Sequence, residues 1–328
     1  MSDMTTLLAL GAIAGVGTWG YLVFQRDLRA SRERLRGTSH VVETRCGPIE
    51  YAEAGAGPPV LVVHGAGGGF DQGMEFGRPL VERGFRVIAM SRFGYLQTPM
   101  PTDASPPAQA DAHLALMDAL GIGQAAVFGG SAGAPSAMQF AIRYPARCQA
   151  LVLLVPLSYR PVTTALGAPG VSSGLERVLM SIVSSDLSFW LATKFARNTV
   201  VRTVLATPPE LLATASVEDK ERVYRVMSGI QPISRRARGI LNDARIGNSL
   251  TRFDLEKVRA PTLVLSVRDD LYGTFASAEY TAQQIRGARF VGYQTGGHMW
   301  VGHHSDVMAQ ISAFLQAPST QAAERARV

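Results

Sequence analysis

Two hydrophobic patterns divide this chain, one before Gln25 and one after Gly37. Residues Thr5 to Phe24, TTLLALGAIAGVGTWGYLVF, run for 20 positions without a charge. A helix of that length covers about 30 Å, the hydrocarbon thickness of a bilayer. Trp19, Tyr21 and Phe24 gather at its end, as interfacial aromatics do. QRDLRASRERLR follows, setting Arg26, Arg29, Arg32, Arg34 and Arg36 against Asp27 and Glu33. The pattern predicts an N-terminal transmembrane helix with a basic juxtamembrane segment over residues 1–36. A cleaved signal peptide fits less well, because MSDM lacks lysine and arginine and the run ends in bulky residues. Arginines on the C-terminal side place the main domain in the cytoplasm by the positive-inside rule. Gly11 and Gly15 match G-x-x-x-G, a weak signal for a homodimer through the anchor.

Beyond the anchor, short apolar runs alternate with helical periodicity, which predicts a mostly parallel sheet covered on both faces. The strand candidates are Pro59–Gly65, Phe85–Met90, Ala125–Gly130, Ala150–Pro156, Pro261–Val267 and Ala288–Tyr293. VVETRCGPIEYAEAG reads as an antiparallel pair at the sheet edge. Helical stretches fall at Asp111–Leu120, Ala132–Tyr144, Ala276–Ile285 and Asp306–Leu315. Between Pro156 and Pro261 the strand rhythm stops over a span too long for a plain loop. Helical periodicity at Leu175–Val183, Phe189–Leu205 and Val217–Met227 predicts a helical cap over the strand ends. The expected organisation is an α/β core over 37–156 and 258–316, a cap over 157–257 and a flexible tail over 317–328.

Composition narrows the picture without changing it. With 328 residues and 47% hydrophobic content the chain supports a sizeable core. Two cysteines, Cys46 and Cys148, make neither a disulfide framework nor a zinc-ligand spacing. The net charge of +6 comes mostly from scattered arginines without an aromatic-interleaved basic motif, so no nucleic-acid partner is expected. From Arg160 to Arg259 the chain holds 15 Lys+Arg against 9 Asp+Glu, so the cap carries much of the excess.

The chemistry-bearing residues follow the strands. GGSAG places Ser131 between Gly129 and Gly133, with a strand-like run before it and a helix-like run after it. That context turns G-x-S-x-G into a nucleophile elbow, whose tight turn requires small neighbours. HGAGGGF, from His64 to Phe70, follows the first buried strand and supplies the loop of an oxyanion hole. The Ala132 N–H fills one position of that hole, and Ala66 the other, with Gly67 close behind. The loop lacks the Lys-Ser/Thr of a phosphate-binding loop, and no cofactor is expected. A serine needs a base, and His298 in QTGGHMW follows the last strand. His64 reads as support for its own loop, and His303 and His304 as residues at the start of the final helix. A metal role for His298, His303 and His304 is disfavoured, since no acidic ligand set accompanies them. The base needs a carboxylate, and RDDLYG offers Asp269 and Asp270 after the strand at Pro261–Val267.

HGAGGG, SRFGY, GGSAG, RDDLYG and GGHMW occur in an order and at intervals that resemble the α/β-hydrolase superfamily, across roughly Val41 to Leu315. The resemblance implies the α/β-hydrolase fold, α/β in class, with a helical cap. It also implies a triad of Ser131, Asp270 and His298. Members commonly read GxDDxxxP after strand seven, with the second aspartate as the acid, which selects Asp270 and leaves Asp269 as runner-up. Val267 in place of the usual glycine and a missing proline blur that choice. An aspartate would stand at Ser131 in a dehalogenase or epoxide hydrolase, so those activities are excluded. The expected reaction is hydrolysis of an ester or related acyl bond in a small or lipid-like substrate, through an acyl-enzyme. The alternatives are a C–C bond hydrolase of a keto or dienoate acid, with Arg160, Arg235 or Arg236 holding a carboxylate, and a non-catalytic membrane-tethered binding protein.

Overall fold

The computed structural model describes the backbone of residues 2–160 and 185–317, and side-chain surroundings from residue 17 onward. Eight strands form one sheet in the order β1-β2-β4-β3-β5-β6-β7-β8. They are β1 (His40–Thr44), β2 (Gly47–Ala54), β3 (Pro59–Val63), β4 (Arg86–Met90), β5 (Ala125–Gly130), β6 (Cys148–Leu154), β7 (Thr262–Val267) and β8 (Arg289–Tyr293). β1 and β2 are antiparallel, and β2 runs antiparallel to β4. The remaining pairs are parallel. The expected edge hairpin and the six other expected strands are present, with β8 at the opposite edge of the sheet.

Strand alternation sends successive side chains to opposite faces. Leu61 and Val63 of β3 join one buried cluster with Leu116 and Phe140, from α3 (Pro106–Ala119) and α4 (Ala134–Arg143). Val60 and Val62 join the other with Leu80 of α2 (Phe70–Val81) and Ile311 of the final helix (His304–Gln316). The periodicity reading passed over α2, which contains Gly73, Gly77 and Pro79. Here the glycines serve packing: a Cβ at Gly73 would lie 2.8 Å from Ala89 Cβ, and one at Gly77 2.5 Å from Val87 Cγ1. Only bare backbone lets α2 lie this close to β4.

The cap is inserted between β6 and β7. Its described helices are α5 (Asp186–Phe195), α6 (Arg197–Thr203), α7 (Pro209–Thr214), α8 (Val217–Gly229) and α9 (Ala237–Ser249). The expected helix over Phe189–Leu205 breaks in two at Ala196, whereas Val217–Met227 falls within α8. The stretch Leu175–Val183 and the tail after Ala317 lie outside the described residues. Phe189, Val201, Val223, Met227 and Ile233 form a cap core that also takes in Met299 and Val301. The cap is therefore packed onto the segment that carries His298.

The N-terminal segment corrects the sequence reading. It forms one helix, α1 (Ser2–Leu35), yet among the described residues no helix is long and apolar enough to cross a membrane. Its second half, which holds the end of the apolar run and the stretch expected to be juxtamembrane, packs on the protein instead. Phe24 and Leu28 are buried with Trp190 of α5, and Asp27 accepts a hydrogen bond from the Trp190 indole at 3.1 Å. Burial raises the Asp27 carboxyl, but the Trp190, Arg26 and Lys194 donors hold it at about 2. Arg34 pairs with Asp71 at 2.8 Å and donates to the Gly229 and Gln231 carbonyls. Charge-free length was a misleading signal here. Four glycines and three aromatic rings dilute the run's aliphatic content, and its basic continuation is a docking surface for cap and core. The transmembrane anchor, membrane partner, cytoplasmic orientation and dimer face at Gly11 and Gly15 all rested on that span and are withdrawn with it.

Candidate active site

β3 and β5 are neighbours, with Val63 opposite Gly129, so the loop after one lies against the turn after the other. Strand order reverses here, since β4 lies on one side of β3 and β5 on the other. Such a switch point opens a crevice at the carboxyl ends of the strands. Ser131 stands at the end of β5, opening a short turn (Ser131–Gly133) that leads into α4. Its φ is +47°, the left-handed region that a residue with a Cβ rarely adopts. The small neighbours are steric requirements. A Cβ on Gly133 would lie 2.4 Å from the Val63 carbonyl oxygen, and one on Gly129 2.7 Å from Ala137 Cβ.

The Ser131 hydroxyl lies 2.9 Å from His298 Nε2, and His298 Nδ1 lies 2.8 Å from Asp270 Oδ2. Asp270 is buried and also accepts the Tyr272 N–H at 2.9 Å and the Thr274 hydroxyl. Those donors hold the carboxylate in place and oriented toward the imidazole. Asp269 turns elsewhere, accepting the Gly297 N–H at 2.7 Å and the Gly296 N–H at 3.3 Å. The two adjacent aspartates thus divide the work: one faces the histidine ring, and the other secures the glycine loop that presents it.

The glycine-rich loop after β3 is fastened group by group. Gln72 accepts the Gly65 N–H at 2.9 Å, the Tyr95 hydroxyl the Gly67 N–H at 3.4 Å, and the Gly65 carbonyl the Gly68 N–H at 3.3 Å. Among the described residues the Ala66 N–H has no such partner, and Ala66 lines the cavity over Ser131. Of the two loop residues considered, Ala66 has its N–H free and Gly67 does not. His64 is fully buried beneath, its Nδ1 2.7 Å from the Gly65 carbonyl and its Nε2 accepting the Arg92 N–H at 3.0 Å. Burial, followed by the charge of Arg92, pushes its pKa well below the usual histidine value, so it stays neutral. His303 precedes the final helix and His304 accepts from the Trp300 indole at 3.2 Å. Burial lowers the His304 imidazole to about 4.

Two buried ion-pair clusters, which the motifs did not reveal, support the loop from behind. Arg92 of SRFGY makes a two-pronged pair with Asp243 of α9, each contact 2.7 Å, and also donates to the Gly65 carbonyl. Arg236 is fully buried, donates to the Gly68 carbonyl and pairs with Asp71 at 2.9 Å. Burial would raise the Asp71 carboxyl, but Arg236 and Arg34 hold it at about 2. Arg236 is therefore committed to the scaffold and is not free for a substrate carboxylate. Arg235 and Arg160 are exposed, and among the described residues no arginine or lysine lines the cavity. That cavity, about 50 Å³, is walled by Phe76, Val204, Leu205, Val226, Ile230, Tyr272, Met299 and Trp300 beside Ser131 and His298. No group of three metal-ligating side chains comes together among the described residues.

With this geometry in place, comparison with known proteins is informative. A family model described as alpha/beta hydrolase fold matches residues 58–302. The uncharacterised hydrolase YcgS of Bacillus subtilis is 28% identical over 264 residues, which is 78% of this chain and 90% of that protein. An alpha/beta hydrolase fold protein from Nakamurella multipartita is 31% identical, with a TM-score of 0.67, covering 86% of this chain and 100% of that one. The 2-hydroxy-6-oxo-6-phenylhexa-2,4-dienoate hydrolase of Comamonas testosteroni is 36% identical over 113 residues, 33% of this chain and 40% of that protein. The compound in that name contains a ketone on a dienoate acid and no ester. This corrects the expectation of a simple ester-cleaving enzyme: relatives with a named substrate include hydrolases of hydroxy-oxo-dienoates and of a hydroxymuconate semialdehyde. The chain belongs to the α/β-hydrolase fold family, as a serine-type hydrolase.

Proposed function

We propose that this protein hydrolyses a carbon–carbon bond beside a ketone in a hydroxy-oxo-dienoate type of acid. The relationship to the Comamonas testosteroni dienoate hydrolase carries this reading, and the alignment of Ser131, His298 and Asp270 supports it. Ser131 Oγ attacks the ketone carbon while its proton passes to His298 Nε2. Asp270 holds the imidazole tautomer and stabilises the imidazolium that forms. The negative charge on the former ketone oxygen is met by the N–H groups of Ala132 and Ala66, each contributing roughly 3–4 kcal/mol. Collapse restores the carbonyl and breaks the bond to the dienoate carbon, which leaves with the electron pair and takes the proton from His298. Water, deprotonated by His298, then hydrolyses the acyl-serine to a carboxylic acid and frees Ser131.

The test offers the purified protein 2-hydroxy-6-oxohexa-2,4-dienoates bearing methyl or phenyl at the ketone. Loss of substrate absorbance is followed, and the products are identified by mass. The expected result is one carboxylic acid and one hydroxydienoate per turnover, abolished in Ser131→Ala. Labelling of Ser131 by a fluorophosphonate without any cleavage of these acids would overturn the substrate class.

A further inference from the structure

One short cap segment, Val204–Pro208 between α6 and α7, contacts both the loop carrying His298 and the loop carrying Asp270. Pro208 and Pro209 lack N–H groups and prevent α6 from running on into α7. The Ala206 carbonyl accepts two backbone hydrogen bonds, from His298 at 3.2 Å and from Leu271, the neighbour of Asp270, at 3.0 Å. Ala206 has φ +42°, a conformation unfavourable for a residue with a Cβ. The Tyr272 hydroxyl donates to the Val204 carbonyl at 3.0 Å. Next in line, Thr207 is fully buried. Its hydroxyl donates to the Leu205 carbonyl at 2.8 Å and accepts the Met299 N–H at 3.1 Å.

Leu205 and Met299 both line the cavity over Ser131, one from the cap and one from the histidine loop. The Thr207 hydroxyl is one bridge between them, on the Met299 N–H. Arg222 of α8 holds the same residue from its other side, donating to the Met299 carbonyl at 2.7 Å. Close approach here requires glycine on the other side. Gly297 has φ +62°, and a Cβ on it would lie 2.7 Å from Thr207 Cγ2. The second glycine of GGH thus makes room for the cap as well as turning the loop.

We propose that Thr207 is a positioning residue for His298: its hydroxyl fastens the cap wall to Met299 and so holds the adjacent imidazole against Ser131. The inference rests on Ser131 and His298 acting as nucleophile and base. In this account the cap does more than enclose substrate, because activation of the serine depends on it. A threonine that served only to stabilise the cap would alter unfolding and leave the reactivity of Ser131 unchanged.

The experiment measures the rate of Ser131 labelling by a fluorophosphonate across pH, on the full chain and on Thr207→Val, Thr207→Ser and Thr207→Cys. Labelling reads activation of the serine without relying on the identity of the natural substrate. Thr207→Val keeps the shape and removes the hydroxyl. It should label about 10- to 100-fold more slowly, the effect of misplacing a reacting group by about 1 Å. The pH of half-maximal labelling should fall, because a displaced imidazole loses the support of Asp270. Thr207→Ser should recover most of the rate. Thr207→Cys, which swaps the hydroxyl for a weak thiol donor, should be slow and decides the matter if Thr207→Val does not fold. A folded Thr207→Val or Thr207→Cys with the wild-type rate and midpoint would overturn the proposal. Wild-type protein left unlabelled would instead contradict Ser131 as the nucleophile, a separate outcome that removes the foundation of the proposal.

Discussion

The two sides of the cavity above Ser131 are built from different kinds of sequence. On the sheet side, each contributing loop follows a strand of the one sheet: Gly65 and Ala66 after β3, Ser131 after β5, Tyr272 after β7 and His298 after β8. On the cap side, Val204, Leu205, Val226 and Ile230 come from helices and a linker with no recognisable motif. Reacting atoms sit on short turns whose backbone geometry admits few residues, whereas the cap wall needs only apolar volume. Yet the cap holds the sheet side in place, through Asp243 on Arg92, Arg236 on the Gly68 carbonyl and Ala206 on His298.

The sharpest way to probe the sheet side is to separate the adjacent aspartates. Asp270→Asn should reduce turnover about 10⁴-fold, as removing the charge beside a catalytic imidazole does. Asp269→Asn should cost far less, since among the described residues Asp269 accepts from the Gly296 and Gly297 N–H groups and not from the imidazole. Steady-state rates of the two variants decide it, and a larger loss in Asp269→Asn would reverse the assignment.

The cap side is broken by removing Arg236. Arg236→Met leaves Asp71 buried with only Arg34 as its ion-pair partner. Stability should fall by about 3–5 kcal/mol, the usual consequence of splitting a buried pair. Denaturant unfolding measures the loss, and an unchanged midpoint would show that the cap-to-loop link carries no weight.

A smaller effect concerns acid. Asp71 is held at about 2 against an ordinary value of 3.8, burial opposing and Arg236 and Arg34 prevailing. Its contribution is complete above the ordinary value and is lost as pH falls toward 2. That difference corresponds to about 2 kcal/mol. Asp71→Asn should flatten this part of the stability profile, measured by denaturant unfolding between pH 5 and pH 2. A profile as steep as that of the wild type would assign the acid lability to other groups.

What the sequence revealed and concealed follows the same division. Strands and turns near Ser131 were legible because sterics are local: Gly129, Gly133 and Gly297 each abut a neighbour that a Cβ would strike. Position after the strand did not separate Asp269 from Asp270, and only the family resemblance favoured Asp270, the residue whose carboxylate faces the His298 ring. Helix α2 was missed because Gly73 and Gly77, poor helix formers, are there to touch β4. Arg236 was read as a candidate for substrate because its partner Asp71 lies 165 positions away. The N-terminal run was misread because charge-free length does not reveal that Phe24, Leu28 and Arg34 have docking partners in the cap and core.

The most direct test of the central claim sets a 2-hydroxy-6-oxohexa-2,4-dienoate against a p-nitrophenyl ester carrying the same acyl group, and compares kcat/KM for the purified protein. The account predicts the larger value for cleavage of the carbon–carbon bond, with both activities lost in Ser131→Ala. Turnover of the ester with none of the dienoate would contradict it.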